Sequence, residues 1–184
     1  FIPGAALAEG EYGWAKLMGE MALKGYHKQF GTKGVSCRLF TVYGPRENES
    51  HAVIALIAKA IIKQDPYEIW GTGNQSRNFT YVSDIVEGIL LSAEKITDCR
   101  AVNVGTDAAI TLKDAARTIL DITGHQPEEI FYDTSKPEGV SVRTASIENQ
   151  KKWLDWSPKV SFAEGIGKTI DWYTKSVDRE ALVE

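Results

Sequence analysis

The sequence predicts an α/β fold on three observations: short apolar runs of strand length alternate with longer stretches of helical periodicity, Gly and Pro mark the junctions, and no run approaches the length of a membrane span. At 184 residues, 43% apolar and 25% charged, the chain is long enough to bury one substantial core and fits one domain, or one and a part.

The elements follow in order. From Glu11 to Phe30, Trp14, Leu17, Met18, Met21 and Ala22 recur at helical spacing with no Pro, which predicts a long amphipathic helix ended by Gly31 and Gly34. Val35 to Val42 is nearly continuously apolar and predicts a strand buried on both faces of a parallel sheet, stopped by Gly44-Pro45. Helical periodicity returns over His51 to Lys63, followed by an extended Tyr67 to Trp70 that Gly71 and Gly73 close. Asn78 to Val82 predicts a strand, with Ser83 or Asp84 capping a helix over Ile85 to Glu94. Ala101 to Val104 is a strand ending in Gly105, and Thr111 caps a helix through Ile122 with Gly124 beyond it. Ile130 to Tyr132 is a further strand, Asp133 to Gly139 the one linker-like stretch, and Phe162 to Val177 a final amphipathic helix.

Composition excludes several functions. A net charge of −4 with scattered Lys and Arg argues against a nucleic-acid surface, which needs a basic face. Cys37 and Cys99 lie far apart, and Cys37 sits in an apolar run as a small hydrophobe, so a structural disulfide is not expected and a reducing cytoplasm is. His27, His51 and His125 are isolated from other ligand types, and no metal site is expected. No charged-then-apolar signal segment opens the chain, and neither membrane insertion nor export is expected.

Tyr12-Gly-Trp-Ala-Lys16 places a phenol and an ammonium four residues apart, on one face of the first helix. A cation one turn away favours the phenolate, the form that accepts a proton. Tyr132 and Lys136 share the spacing, but Pro137 disfavours helical geometry at Lys136. With Glu20, the first pair resembles the YGxxKxxxE signature of extended short-chain dehydrogenase/reductases, within which the chain is similar to the NAD-dependent nucleotide-sugar epimerase/dehydratase family. Three further stretches are similar to that family's motifs. Arg38-Leu-Phe-Thr-Val-Tyr-Gly-Pro-Arg46 resembles R-x-x-N-x-Y-G-P with Thr41 in place of Asn, and Tyr67 to Asp84 resembles the block that ends GxGxQxRxFxYVxD. Ala101-Val-Asn103-Val-Gly105 resembles YN(L/I)G. Farther on, Lys136 to Arg143 and Leu154-Asp-Trp156-Ser-Pro158 resemble RPGDxxxR and LGWxP.

The resemblance implies the C-terminal part of a Rossmann-like NAD(P)-binding fold plus a small α/β substrate-binding domain. Residues 1–48 would end the first, residues 49–184 would form mainly the second, and Asn78 to Gly105 would return in part to the Rossmann-like sheet. It assigns catalysis to Tyr12 and Lys16, and NAD or NADP contacts to these two with Leu39 and Phe40. Substrate contacts fall on Thr41, Tyr67, Trp70, Arg77, Asn103 and Arg143, with Arg77 clamping the pyrophosphate and Tyr67 and Trp70 near the base. A guanidinium suits this task because its planar donors match phosphate oxygens as an ammonium's do not. Asp84 reads as a cap rather than a catalytic acid.

In this family a Gly-rich turn binds the dinucleotide, and no GxxGxxG occurs here. The resemblance puts that turn upstream of Phe1, together with the acidic residue for the adenosine ribose and the Ser or Thr that partners the catalytic Tyr. The isolated chain is accordingly expected to bind much of a nucleotide sugar, part of NAD, and to be inert. The implied activity is that of a 4-epimerase, like UDP-glucose 4-epimerase, working through a transient keto-sugar. A 4,6-dehydratase, a reductase or decarboxylase on the same substrates, and a non-catalytic nucleotide-binding or dimerisation module are the alternatives. The family commonly dimerises through the YxxxK helix, which implies a homodimer here.

Overall fold

The computed structural model describes residues 10–136 and 145–176. Helix α1 spans Gly10–Phe30 and buries none of its residues. The apolar run after it forms two strands, β1 Ser36–Leu39 and β2 Thr41–Tyr43, rather than the single strand expected. The break lies at Phe40, where the chain changes partners. β1 pairs in parallel with β6 (Ala101–Val104), with Cys37 opposite Val102, whereas β2 pairs in parallel with β5 (Phe79–Tyr81), with Thr41 opposite Phe79. Most of this run is half-buried rather than buried on both faces.

Gly105 makes the Phe40 break possible. Its φ is +155°, and a Cβ there would stand 2.5 Å from Phe40 Cδ2, so only glycine lets the ring lie on the end of β6. Gln150, fully buried, accepts from the Gly105 N–H at 2.8 Å and donates to its carbonyl at 3.1 Å. Both backbone groups left orphaned where the strand ends are thereby satisfied.

Helix α2, Ala52–Ile61, buries Val53, Ile54, Leu56, Ile57 and Ala60, a stripe at helical spacing. β3, Tyr67–Trp70, pairs in parallel with β8, Ile130–Asp133, and two short strands, β4 Ser76–Arg77 and β7 Ile110–Thr111, pair antiparallel. The short pair is unanticipated because two residues carry no readable period. α4, Leu112–Thr123, begins and ends as expected: the Thr111 hydroxyl accepts from the Asp114 N–H at 3.1 Å, and Gly124 closes it with φ 68°. α5, Glu148–Leu154, is also unanticipated, while α6 covers Phe162–Ser176.

Helix α3, Val82–Lys95, starts a turn earlier than expected, with Tyr81 at its N-cap. This corrects the reading of Asp84 as the cap. It lies within the first turn, is 3% exposed, and accepts from the Lys159 and Val160 N–H groups at 3.0 and 2.9 Å. Its task is to tie the loop before α6 to the start of α3.

Buried apolar residues form two clusters. The larger gathers Tyr43, Ile54, Ile57, Tyr67, Ile69, Phe79, Ile119, Ile166 and Tyr173 between α2, α4, α6 and the strands. The smaller joins Ile85, Val102 and Val104 to Leu154 and Trp156. The Leu154-to-Pro158 motif thus supplies core side chains around a left-handed Asp155 (φ 50°). Among the described residues, no helix is long and apolar enough to cross a membrane and no group of three metal-ligating side chains converges.

The buried phenols make alkaline stability a sharp test of this packing. Tyr43 donates to the Phe162 carbonyl at 3.1 Å, Tyr67 to the Leu56 carbonyl at 2.8 Å and Tyr173 to Glu49 Oε1 at 3.1 Å. Burial pushes all three above the ordinary value of 10.0, Tyr173 to about 12. Below pH 10 both folded and unfolded states keep these protons. Above it the unfolded chain releases them first, so stability falls as pH rises. The urea midpoint is expected to stay level from about pH 8 to 9.5 and drop steeply beyond 10; a level midpoint through pH 11.5 would show these phenols to be accessible.

Candidate active site

Tyr12, Lys16 and Glu20 lie at four-residue steps along α1 and so share one face. Tyr12 is 76% exposed, and the Lys16 ammonium stands 5.3 Å from its ring centroid. Glu20 takes a two-pronged bond from Arg38 of β1, Nε to Oε1 and Nη2 to Oε2, each 2.6 Å. This bond raises the Arg38 pKa and ties the helix that carries Tyr12 and Lys16 to the strand ending at Leu39. The Leu23 side chain lies beside Gly34, where a Cβ would stand 3.7 Å from Leu23 Cδ1. Leu39 is 45% exposed, Phe40 lies against Gly105, and Thr41 opens β2. These residues sit at the carboxyl end of a parallel strand, where ligands of open α/β sheets bind.

A second group surrounds the β3–β4 turn. Gly73 holds a φ of +74°, and a Cβ there would approach Tyr132 Cε1 to 2.8 Å and Lys113 Cγ to 2.9 Å, so the turn requires glycine. Gln75, buried, closes it by donating to the Trp70 carbonyl at 2.8 Å. Trp70 is 50% exposed. Arg77 lies in β4, half-buried, with Nη1 donating to the Ser76 carbonyl at 2.7 Å.

Tyr67 is placed otherwise than expected. It is 0% exposed and its hydroxyl is bonded to Leu56, so it is a core residue and its ring does not face a ligand. Strand alternation puts Glu68 on the outer face with Trp70 instead. Asn103 donates its amide to the Ser146 carbonyl at 2.8 Å, fastening the segment before α5. Arg143 lies outside the described residues. The sequence motifs assign no role to Glu68, Lys59 or Asp133; the period of two in β3 groups Glu68 with Trp70, and packing puts that pair outward.

A parallel α/β framework, an exposed Tyr–Lys helix face tied through Glu20 to β1, and an Arg beside a glycine-closed turn place the chain in the Rossmann-like class of α/β proteins. The chain belongs to the NAD dependent epimerase/dehydratase family, whose model matches residues 7–105. It is 30% identical to the probable GDP-L-fucose synthase 1 of Oryza sativa subsp. japonica, over 90% of this chain and 52% of that protein. It is likewise 30% identical to the GDP-mannose 3,5-epimerase of Arabidopsis thaliana, over 92% of this chain and 45% of that protein. The UDP-glucose 4-epimerase of Thermotoga maritima, solved with UDP-glucose, superposes with a TM-score of 0.82 at 29% identity, over 91% of this chain and 54% of that one. The UDP-glucuronic acid 4-epimerase of Bacillus cereus, solved with UDP-glucuronic acid and NAD, gives 0.79 at 28%, over 94% and 58%. The chain spans about half the length of the relatives it matches.

Proposed function

We propose that this chain is the substrate-binding part of an NAD-dependent nucleotide-sugar epimerase, and that residues 49–184 bind the substrate beside a Rossmann-like portion ending near residue 48. The observation that carries the proposal is the α1 face bearing Tyr12 and Lys16, held by the Glu20–Arg38 fork to the strand that ends at Leu39. The GDP- and UDP-sugar enzymes among its relatives support the substrate class.

The residues present fit the cofactor: an exposed ammonium and phenol stand on one helix, tied to a strand whose end exposes apolar Leu39. NAD, when bound, supplies a hydride acceptor and donor. Tyr12 takes the proton of the sugar hydroxyl as the carbon loses hydride, and returns it after the resulting ketone has presented its other face. Lys16 would hold the cofactor ribose, and Leu39 and Phe40 would border it. Arg77 grips the diphosphate. That grip leaves the sugar free to turn, which epimerisation requires.

Trp14, Met18 and Met21 are exposed along α1 and support a homodimer through this helix. The two unpaired thiols support a reducing cytoplasm. Calorimetry of the chain with UDP-, dTDP- and GDP-sugars is expected to show binding of at least one and none of the free sugars, with light scattering giving the mass of two chains. No binding across the panel overturns the nucleotide-sugar reading, and a monomer overturns the dimer.

A further inference from the structure

Strand β3 sends Tyr67 and Ile69 into the core and turns Glu68 and Trp70 outward. In register beside them on β8 stand Phe131, opposite Glu68, and Asp133, opposite Trp70. Lys59 on α2 fastens Glu68 in place, its ammonium donating to the Glu68 carbonyl at 3.0 Å and to carboxylate Oε2 at 2.9 Å. The same ammonium lies 6.0 Å from the Trp70 ring centroid, and that of Lys136 lies 5.5 Å away. Gln75 pins the Trp70 backbone from the other side. Asp133 accepts from the Ser135 N–H at 3.0 Å and hydroxyl at 2.5 Å, so this face carries two carboxylates together with the ammonium groups of Lys59 and Lys136. A broad apolar ring is thus displayed beside a carboxylate held in a set position.

With the substrate's base beside Trp70, as the family resemblance implies, we infer that this base is guanine and that Glu68 is the residue that selects it; this rests on the nucleotide-sugar reading above. Aromatic rings accept any base by stacking, so Trp70 supplies affinity without choice. Choice falls to the carboxylate, which accepts hydrogen bonds and donates none. Guanine alone among the common bases offers two adjacent donors on one edge, its ring N1–H and exocyclic amine, at the spacing of two carboxylate oxygens. Uracil and thymine place their one imide N–H between two carbonyl oxygens, which a carboxylate repels. Adenine and cytosine set a ring acceptor next to their amine, with the same result.

The test is calorimetric titration of the chain with GDP, UDP and dTDP, for the native protein, Glu68→Gln and Arg77→Ala, with thermal melts to confirm folding. The native chain is expected to bind GDP roughly 10- to 100-fold more tightly than UDP or dTDP, the worth of a hydrogen bond to a charged group. Glu68→Gln is expected to erase that preference, because an amide both donates and accepts. Equal binding, or a preference for UDP or dTDP, in the native chain overturns guanine without need of any variant. If that binding is lost in Arg77→Ala, the nucleotide-sugar reading stands and the guanine inference alone falls. A GDP preference that survives Glu68→Gln overturns Glu68 as the selecting residue. Failure of all three diphosphates to bind overturns the reading beneath both.

Discussion

Replacing Arg77 by alanine is expected to weaken binding of a nucleotide sugar roughly 10- to 100-fold, the cost of losing charge-assisted hydrogen bonds to phosphate. The fold should survive, because β4 is held by its backbone pairing to β7 and Arg77 is only half-buried. Arg77→Lys should recover part of the loss, since an ammonium restores charge without the planar fork. Calorimetry of the three proteins with one nucleotide sugar and its parent nucleoside gives the answer. A loss that is similar for the nucleoside, which has no phosphate, would show that Arg77 shapes the site rather than grips the diphosphate.

The second large effect belongs to Tyr12. In the whole protein supplied with NAD and substrate, Tyr12→Phe is expected to lower turnover roughly 10²- to 10⁴-fold while leaving substrate affinity and melting temperature nearly unchanged. Its hydroxyl makes no structural bond among the described residues, and the side chain is 76% exposed, so its removal costs the fold little. Turnover within tenfold of the native enzyme would take the proton-transfer role away from Tyr12.

Much of the framework is legible in the sequence. Thr111 and Gly124 mark the two ends of α4 because they are strong local signals whose geometry involves only the backbone next to them. β6 matched from Ala101 to Val104 because a short apolar run ending in Gly leaves little choice. Elements that depend on distant partners were harder. The run from Val35 to Val42 looks like one strand, yet β1 and β2 divide at Phe40 because their partners, β6 and β5, come from different parts of the chain. Asp84 sits where a cap is common, but the backbone amides that need its carboxylate are those of Lys159 and Val160, far along the sequence.

The site divides in the same way. The sequence by itself determined the chemical parts: the Tyr12–Lys16 spacing, the Arg38 and Arg77 motifs and the glycines between them, since spacing on a helix and the geometry of a turn are local properties. Only the tertiary structure decided which way those parts face. A period of two says that Tyr67 and Ile69 share one side of β3 and Glu68 and Trp70 the other, but not which side is inside. Packing of Tyr67 into the core beneath α2, with its hydroxyl on Leu56, settled that, and so exchanged Tyr67 for Glu68 beside the ring of Trp70.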